Sequence, residues 1–167
     1  MVLLLDQIAR NCYRGSEAAL VYNYFDPLAR AIAMRAIDQG DVIGSPEIRF
    51  HLARRMWFGL PLMHSEDLAI HQAALQYFEL MSQEVEYLMD NGRGLDQIGE
   101  GDMKARAVFT REPDTTRKFL ANMVGFENRH RAIIQQFGRY PHRNASLGRV
   151  PTAAETEYLE NGGEVFG

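Results

Sequence analysis

The segment that decides the fold spans residues 114–137 and reads DTTRKFLANMVGFENRHRAIIQQF. Large apolar side chains and one histidine recur in it after alternating steps of four and three residues, at Phe119, Met123, Phe126, His130, Ile133 and Phe137. Such steps place side chains on one face of an α-helix. Asp114 is suited to cap the start of this helix, and Gly138 is suited to end it. The segment therefore predicts one long amphipathic helix.

The rest of the chain carries the same helical signals on both sides of this segment. Further helix starts are predicted where a capping side chain precedes a proline or an acidic residue, at Asp26-Pro27, Ser45-Pro46-Glu47, Ser65-Glu66-Asp67 and Thr152-Ala153-Ala154-Glu155. No segment alternates apolar and polar residues with the two-residue period of a half-buried strand. We therefore predict an all-α protein built as an antiparallel array of helices.

Glycine and proline set the predicted helix ends and loops. The helix that begins at Ser45 is predicted to close at Gly59 and Pro61, because both residue types disfavour the interior of a helix. Four glycines between residues 91 and 101 predict a flexible loop, which belongs to an insertion over about residues 91–112. No internal repeat is evident and charges are dispersed, so a single domain is predicted over residues 1–167.

The composition matches that of an average globular protein, with 46% hydrophobic and 24% charged residues. The net charge of -4 gives no overall attraction to nucleic acid or to anionic lipid. The single cysteine, Cys12, excludes an internal disulfide and a metal site built from several cysteines. The apolar run at residues 2–5 is too short for a secretory signal or a membrane span. We expect a cytoplasmic protein without nucleic-acid or membrane partners, in an oligomeric state that the sequence leaves open.

Three polar clusters lie beside apolar helix ends, where a solvated surface would not require them. The first contains Asp6, Gln7, Arg10, Asn11 and Arg14, the second is His64-Ser65-Glu66-Asp67, and the third runs through Arg139, Tyr140, Pro141, His142, Arg143 and Asn144 to Arg149. Five arginines lie between residues 129 and 149 of this acidic chain. Guanidinium groups at this density either pair with internal carboxylates or bind an anion through their planar array of donors.

Three interpretations of these clusters remain open. In the first, a pocket binds a carboxylate or phosphate group of a small ligand or peptide through Arg10, Asn11, Arg14, His130, Arg139, Arg143 and Asn144. In the second, the protein is an enzyme in which His64 or His142 acts as general base and Glu66 or Asp67 orients it. In the third, the network is purely structural, and Glu66 and Asp67 hold Arg139 or Arg143 by bidentate bonds that fix the proline-containing loop.

Metal and cofactor sites find less support in the sequence. His64 and His71 are seven residues apart and would share a helix face, but the four-residue histidine spacing of helical zinc sites is absent. His71 and His130 fit hydrogen-bonded histidines at the edge of a core. The sequence contains no glycine-flanked serine elbow and no phosphate-binding glycine loop. We therefore predict neither a metal ion nor a cofactor.

At the same clusters the chain resembles the family known as domain of unknown function 924, a helical family grouped with the tetratricopeptide-like superfamily. The shared stretches are residues 4–15 (LLDQIARNCYRG), 61–68 (PLMHSEDL), 130–134 (HRAII), 137–144 (FGRYPHRN) and 147–149 (LGR). The resemblance implies a helical fold in which the three clusters meet. Members of the family usually carry a further N-terminal helical stretch with a Trp-Phe motif, so we expect a shortened member. Ala9 and Ala132 stand where the family tends to have proline and an acidic residue, which removes one partner for the arginines.

Overall fold

The computed structural model describes residues 1–90 and 99–166, and within these ranges every regular element is helical. The first helix, α1, joins a π-helical turn at Leu4–Ile8 to Ala9–Cys12, and α2 joins Ala18–Leu20, a π-helical turn at Val21–Phe25 and Asp26–Asp38. The following helices are α3 (Asp41–Gly44), α4 (Pro46–Arg49), α5 (Leu52–Met63), α6 (Leu68–Asp90), α7 (Glu100–Phe109), α8 (Pro113–Phe137) and α9 (Ala153–Glu160). The prediction of an all-α fold is confirmed.

The two longest helices, α6 and α8, pack along each other, and α5 packs against both α6 and α2. The main core lies among α5, α6, α7 and α8, and its buried side chains include Met63, Phe78, Met81, Val85, Phe109 and Leu120. Burial of one such large side chain stabilises the fold by about 1.5–3 kcal/mol. This packing brings the start of α6, the middle of α2 and the loop after α8 to the same side of the molecule.

Helix α2 passes through Asp26-Pro27, so the helix start predicted at this pair is wrong. A proline inside a helix donates no hydrogen bond, and its ring collides with the carbonyl group four residues before it. The π-helical turn at Val21–Phe25 widens the helix immediately before the proline, and the Asp26 amide bonds the carbonyl of Val21, five residues back. The side chain of Asp26 is therefore not a cap and is buried inside the protein.

The helix predicted to run from Ser45 to Gly59 is two helices, α4 and α5, with a break at residues 50–51. Helix α5 continues through Gly59 and Pro61 to Met63, so the predicted closure at these residues is also wrong. Gly59 is buried against the ring of Phe78 on α6, which leaves no room for a Cβ atom. Gly59 therefore allows α5 and α6 to approach each other closely, and it does not end a helix.

The buried face of α8 differs from the predicted stripe. Its buried residues are Leu120, Met123, Glu127, His130, Ile133 and Ile134. Phe126 is 40% exposed, and the neighbouring Glu127 faces inward instead. Glu127 is fully buried, and its Oε1 lies 2.8 Å from Nδ1 of His71, a fully buried residue on α6. Hydrophobicity alone does not indicate this orientation, since an acidic residue takes an inward position.

The predicted helix ends at Gly138 and Thr152 are confirmed. Gly138 has the left-handed conformation that ends α8, with φ of 69°, and Thr152 forms a complete capping box with Glu155 at the start of α9. Of the predicted flexible insertion over about residues 91–112, residues 91–98 lie outside the described residues, and Glu100–Phe109 forms a helix instead of a loop. Among the helices of residues 1–90 and 99–166, none is long and apolar enough to cross a membrane.

Candidate functional site

A polar cleft of about 270 Å³ lies where α2, the residues that lead into α6 and the loop after α8 meet. It is lined by Tyr22, Asn23, Asp26, Pro27, Arg30, His64, Ser65, Glu66, Asp67, Arg143, Leu147 and Arg149. We call this the arginine cleft. The second and third polar clusters of the sequence both contribute to its wall, and the first cluster lies directly behind it through Asp6 and Arg10.

Arg143 forms the buried wall of the arginine cleft. Its guanidinium lies between two aromatic rings, 4.5 Å from the ring centroid of Tyr22 and 4.5 Å from that of Tyr140. It makes no hydrogen bond to the described residues, and its nearest carboxylate oxygen is Oδ2 of Asp26, 3.6 Å from Nη1. Arg143 is only 3% exposed, and this burial lowers the pKa of its guanidinium. A buried cation with unused donors therefore borders the cleft.

Asp26 presents a buried carboxylate beside Arg143. One oxygen, Oδ1, accepts a hydrogen bond of 2.6 Å from Nη2 of Arg10 on α1. The other oxygen, Oδ2, is buried and accepts no hydrogen bond in the described part of the chain. Because α2 does not begin at Asp26, this carboxylate is not used as a cap and can face the neighbouring elements. The cleft thus borders an unused acceptor as well as unused donors.

His64 and Asp6 form a hydrogen-bonded pair at the edge of the cleft, with 2.6 Å between Nδ1 and Oδ1. Burial raises the pKa of Asp6, but the contacts with His64 and Arg10 outweigh this effect and hold that pKa below its ordinary value. Burial, together with the charge of Arg10, lowers the pKa of His64. The pair is therefore an aspartate and a neutral imidazole, in which Nδ1 carries the proton and Nε2 is an acceptor. Nε2 has no hydrogen-bond partner among the described residues.

Glu66 fastens the loop after α8 to the start of α6. Its carboxylate accepts two hydrogen bonds from Arg149, of 3.0 and 2.7 Å, and one of 2.9 Å from the backbone N–H of Tyr140. Burial raises the pKa of Glu66, but these three bonds hold it below its ordinary value. The predicted bidentate link between this acidic pair and an arginine therefore exists, but the arginine is Arg149. The prediction of Arg139 or Arg143 as its partner is wrong.

Asp67 caps α6, and Ser65 supports the turn before it. The Oδ1 atom of Asp67 accepts the N–H of Ala69 at 2.8 Å, and the hydroxyl oxygen of Ser65 accepts the N–H of Asp67 at 3.1 Å. The same hydroxyl oxygen lies 3.4 Å from Nη1 of Arg30. The carboxylate that contacts His64 is thus Asp6, and neither Glu66 nor Asp67 has the predicted orienting role.

Several predicted ligand residues lie outside the arginine cleft. Arg139 forms two hydrogen bonds to Glu155, of 2.6 and 2.8 Å, and the bond from Arg139 lowers the pKa of Glu155 to about 2. Asn11 and Arg14 are exposed and bond each other at 3.1 Å, at a separate depression of about 160 Å³ that Arg14 lines. Asn144, in the loop after α8, is buried and does not line the cleft. For these four residues, no contribution to the cleft is found.

The two remaining predicted histidines lie elsewhere in the same region, where His130 is buried and His142 is half-buried. His130 bonds the carbonyl oxygen of Phe126 at 2.8 Å and stacks on Phe166 with 3.6 Å between ring centroids. Burial lowers the pKa of His130 to about 3. His142 packs beside Tyr140, and burial together with the charge of Arg143 lowers its pKa to about 4. Their lowered pKa values make both histidines neutral at neutral pH, and neither lines the cleft.

The sequence interpretation missed the contribution of α2. Tyr22, Asp26 and Arg30 follow one another at four-residue spacing, which places them on one helix face, and all three line the cleft. This spacing of an aromatic, an acidic and a basic residue was the signal available. It was overlooked because Asp26 next to Pro27 fits a helix cap, which explains the aspartate without a site.

Asp6, Asp26 and His64 lie close enough together to hold a metal ion, with one ligand atom from each within 4.8 Å of the others. The contacts of these residues disfavour a metal ion between them. Arg10 lies 2.6 Å from Asp26 and 3.7 Å from Asp6, so the two carboxylates already share one guanidinium as an ion-pair partner. The short contact between Asp6 and His64 is a hydrogen bond that a shared metal ion would have to replace.

Comparison with known proteins places the chain in a family. A family model described as "Bacterial protein of unknown function (DUF924)" matches residues 1–163. A solved structure of the protein of unknown function ATU0120 from Agrobacterium tumefaciens is similar, with a TM-score of 0.59 and 33% sequence identity. The similarity covers 96% of this chain and 65% of the Agrobacterium chain. None of the curated proteins matches the sequence. The chain belongs to the DUF924 family, as its motifs at the three polar clusters predict.

Proposed function

We propose that the arginine cleft binds the carboxylate or phosphate group of a small molecule. The observation that carries this proposal is Arg143, a buried guanidinium without a hydrogen-bond acceptor in the described chain. Burying a charged group is costly unless its hydrogen bonds are made, and native proteins satisfy most of their buried polar atoms. An anion in the cleft supplies the acceptors that the described residues do not.

Arg30 and Arg149 support the same proposal from the other walls of the cleft. The one hydrogen bond that Arg30 makes to a described residue is its 3.4 Å contact with Ser65, so its remaining donors are available. Nη1 and Nη2 of Arg149 each already donate a hydrogen bond to Glu66, so Arg149 contributes mainly positive charge to the cleft. Planar guanidinium groups suit carboxylates and phosphates because two N–H donors can meet two oxygen atoms.

Calorimetry with inorganic phosphate and with acetate tests this proposal on two matched variants. Arg30→Met removes a cleft donor, and Arg35→Met removes an exposed arginine of the same helix that bonds Gln39. A charge-assisted hydrogen bond contributes about 1.5–3 kcal/mol, so Arg30→Met is expected to weaken binding about tenfold or more. Arg35→Met is expected to bind like the wild type. Equal losses in both variants, or no binding of either anion to the wild type, would contradict the proposal.

A second candidate function is general-base catalysis by His64 on the bound molecule. The specific observation in its favour is the contact of Asp6 with Nδ1, which leaves Nε2 as a free acceptor on a neutral ring that lines the cleft. Nitrogen-15 NMR of the imidazole at neutral pH tests this role. We expect a neutral ring protonated at Nδ1, whereas a charged ring or a proton on Nε2 would exclude His64 as a base.

The cytoplasmic location expected from the sequence stays a prediction.

A further inference from the structure

We infer that the ligand of the arginine cleft is a small zwitterion that carries an ammonium group beside its carboxylate, as a free α-amino acid does. The inference rests on the proposed function, because it assigns the anionic group to Arg143 and Arg30. It adds a second recognition element on the ligand, a cation, and so selects one class among the small molecules with an anionic group.

The charge of the cleft favours a dipolar ligand over a bare anion. Three arginines line it, Arg30, Arg143 and Arg149, and three carboxylates line it as well, those of Asp26, Glu66 and Asp67. His64 also lines the cleft and is neutral because burial lowers its pKa. The lining is therefore formally neutral, and a ligand of matching charge pattern carries both signs and no net charge.

Two buried groups with unmade hydrogen bonds lie side by side, and they have opposite requirements. Nη1 of Arg143 and Oδ2 of Asp26 form an ion pair at 3.6 Å, which is too long for a hydrogen bond. Within the described residues, Nε of Arg143 and Oδ2 of Asp26 are buried without a hydrogen-bond partner. A carboxylate bound to Arg143 alone would lie next to the negative oxygen of Asp26 and be repelled by it. An ammonium group on the adjacent carbon of the ligand removes this repulsion, since it donates to Asp26 while the carboxylate accepts from Arg143.

Nε2 of His64 provides a further acceptor in the same wall. An ammonium group has three N–H donors, so it can donate one hydrogen bond to the aspartate oxygen and another to the neutral imidazole nitrogen. A simple carboxylate leaves these two acceptors unpaired. The set of donors and acceptors around the cleft therefore fits an amino acid better than it fits a ligand with acceptors only.

The volume of the cleft limits the part of the ligand that it encloses. A cavity of about 270 Å³ is smaller than most pockets for drug-sized molecules, and the backbone of a free amino acid fits it. The cleft is partly open to solvent, so a longer side chain of the ligand can extend out of it.

Calorimetry on the wild-type chain with alanine, propionate and methylamine tests the inference directly. Propionate has the carbon skeleton of alanine without the ammonium group, and methylamine supplies an ammonium group alone. We expect alanine to bind about tenfold or more tightly than propionate, and methylamine to bind more weakly than alanine. This comparison uses only the native protein, so it does not depend on whether any variant folds.

The variant Asp26→Asn then tests whether Asp26 is the acceptor. In folded Asp26→Asn, the advantage of alanine over propionate is expected to disappear, while propionate binds at least as well as before. Persistence of the full advantage in that variant would overturn the assignment to Asp26. Binding of propionate and phosphate to the wild type without any advantage for alanine would overturn the zwitterion and leave the anion site in place. Absence of binding by propionate, phosphate and alanine alike would overturn the proposed function itself.

Discussion

Replacing Glu66 with alanine tests how strongly the loop after α8 depends on one carboxylate. The substitution removes the acceptor of the Tyr140 backbone N–H and the bidentate partner of Arg149. Tyr140 is fully buried, and a buried donor left without an acceptor costs about 1–3 kcal/mol. The ion pair with Arg149 is partly exposed and contributes only about 0–1 kcal/mol. Glu66→Ala is therefore expected to lower the free energy of unfolding by about 2–3 kcal/mol.

Urea denaturation followed by circular dichroism measures this loss, with Glu66→Gln and Arg149→Met as controls. Glutamine keeps an oxygen acceptor for the Tyr140 N–H, and Arg149→Met leaves the carboxylate in place, so each control is expected to lose about 1 kcal/mol or less. The corresponding decrease in melting temperature for Glu66→Ala is roughly 4–12 °C, at about 2–4 °C per kcal/mol for a domain of this length. A loss in Glu66→Gln as large as that in Glu66→Ala would show that the Tyr140 bond is not the main contribution.

Three further predictions concern helix packing and titration. Gly59→Ala is expected to destabilise the protein by about 1–3 kcal/mol, because the added methyl group overpacks the contact with α6. Gly125→Ala, at an exposed helical site with space for a methyl group, is expected to stabilise the protein by about 0.5–1 kcal/mol. Urea denaturation of the two variants measures both changes. The pKa of His130 is about 3 in the folded protein and an ordinary 6.5 in the unfolded chain. Between these values only the unfolded chain binds the proton, so the free energy of unfolding is at its full value above pH 6.5 and falls by about 1.4 kcal/mol per pH unit as the pH is lowered toward 3. Denaturation across this range should give a shallower slope in His130→Asn, and an unchanged slope would contradict the assignment. In Arg139→Met, NMR titration should find the pKa of Glu155 raised from about 2 toward its ordinary 4.5, and a value still near 2 would refute the dominant effect of Arg139.

The helices could be predicted from the sequence because their signals are local. Periodic apolar residues, the capping box at Thr152 and the glycine after α8 all act within a few residues, so they are readable without a structure. The errors have one tertiary and one local cause. Gly59 lies inside α5, where the ring of Phe78 on α6 packs against it and leaves no room for a side chain. Asp26 lies inside α2 because a π-helical turn, which the sequence pattern does not indicate, accommodates the following proline.

The candidate site could be predicted in composition but not in pairing. The clusters around Asp6, His64 and Arg143 were selected because charged residues beside apolar helix ends need partners, and the structure brings all three into one region. Which carboxylate meets which cation depends on the crossing of distant helices, and sequence spacing carries no information on it. Two pairings therefore differ from the prediction, since His64 contacts Asp6 and Glu66 binds Arg149.

Anion binding at Arg143 is tested most directly at the side chain itself, by NMR of the arginine Nε–H groups while inorganic phosphate is added to the wild-type protein. Arg143 is sandwiched between two rings and is the buried cation of the cleft, so its signal reports on the site and not on the protein surface. The proposed function predicts a saturable shift of the Arg143 signal, while the signal of the exposed Arg35 stays nearly constant. A titration in which the Arg143 signal does not move, or moves with that of Arg35 without saturating, would contradict it.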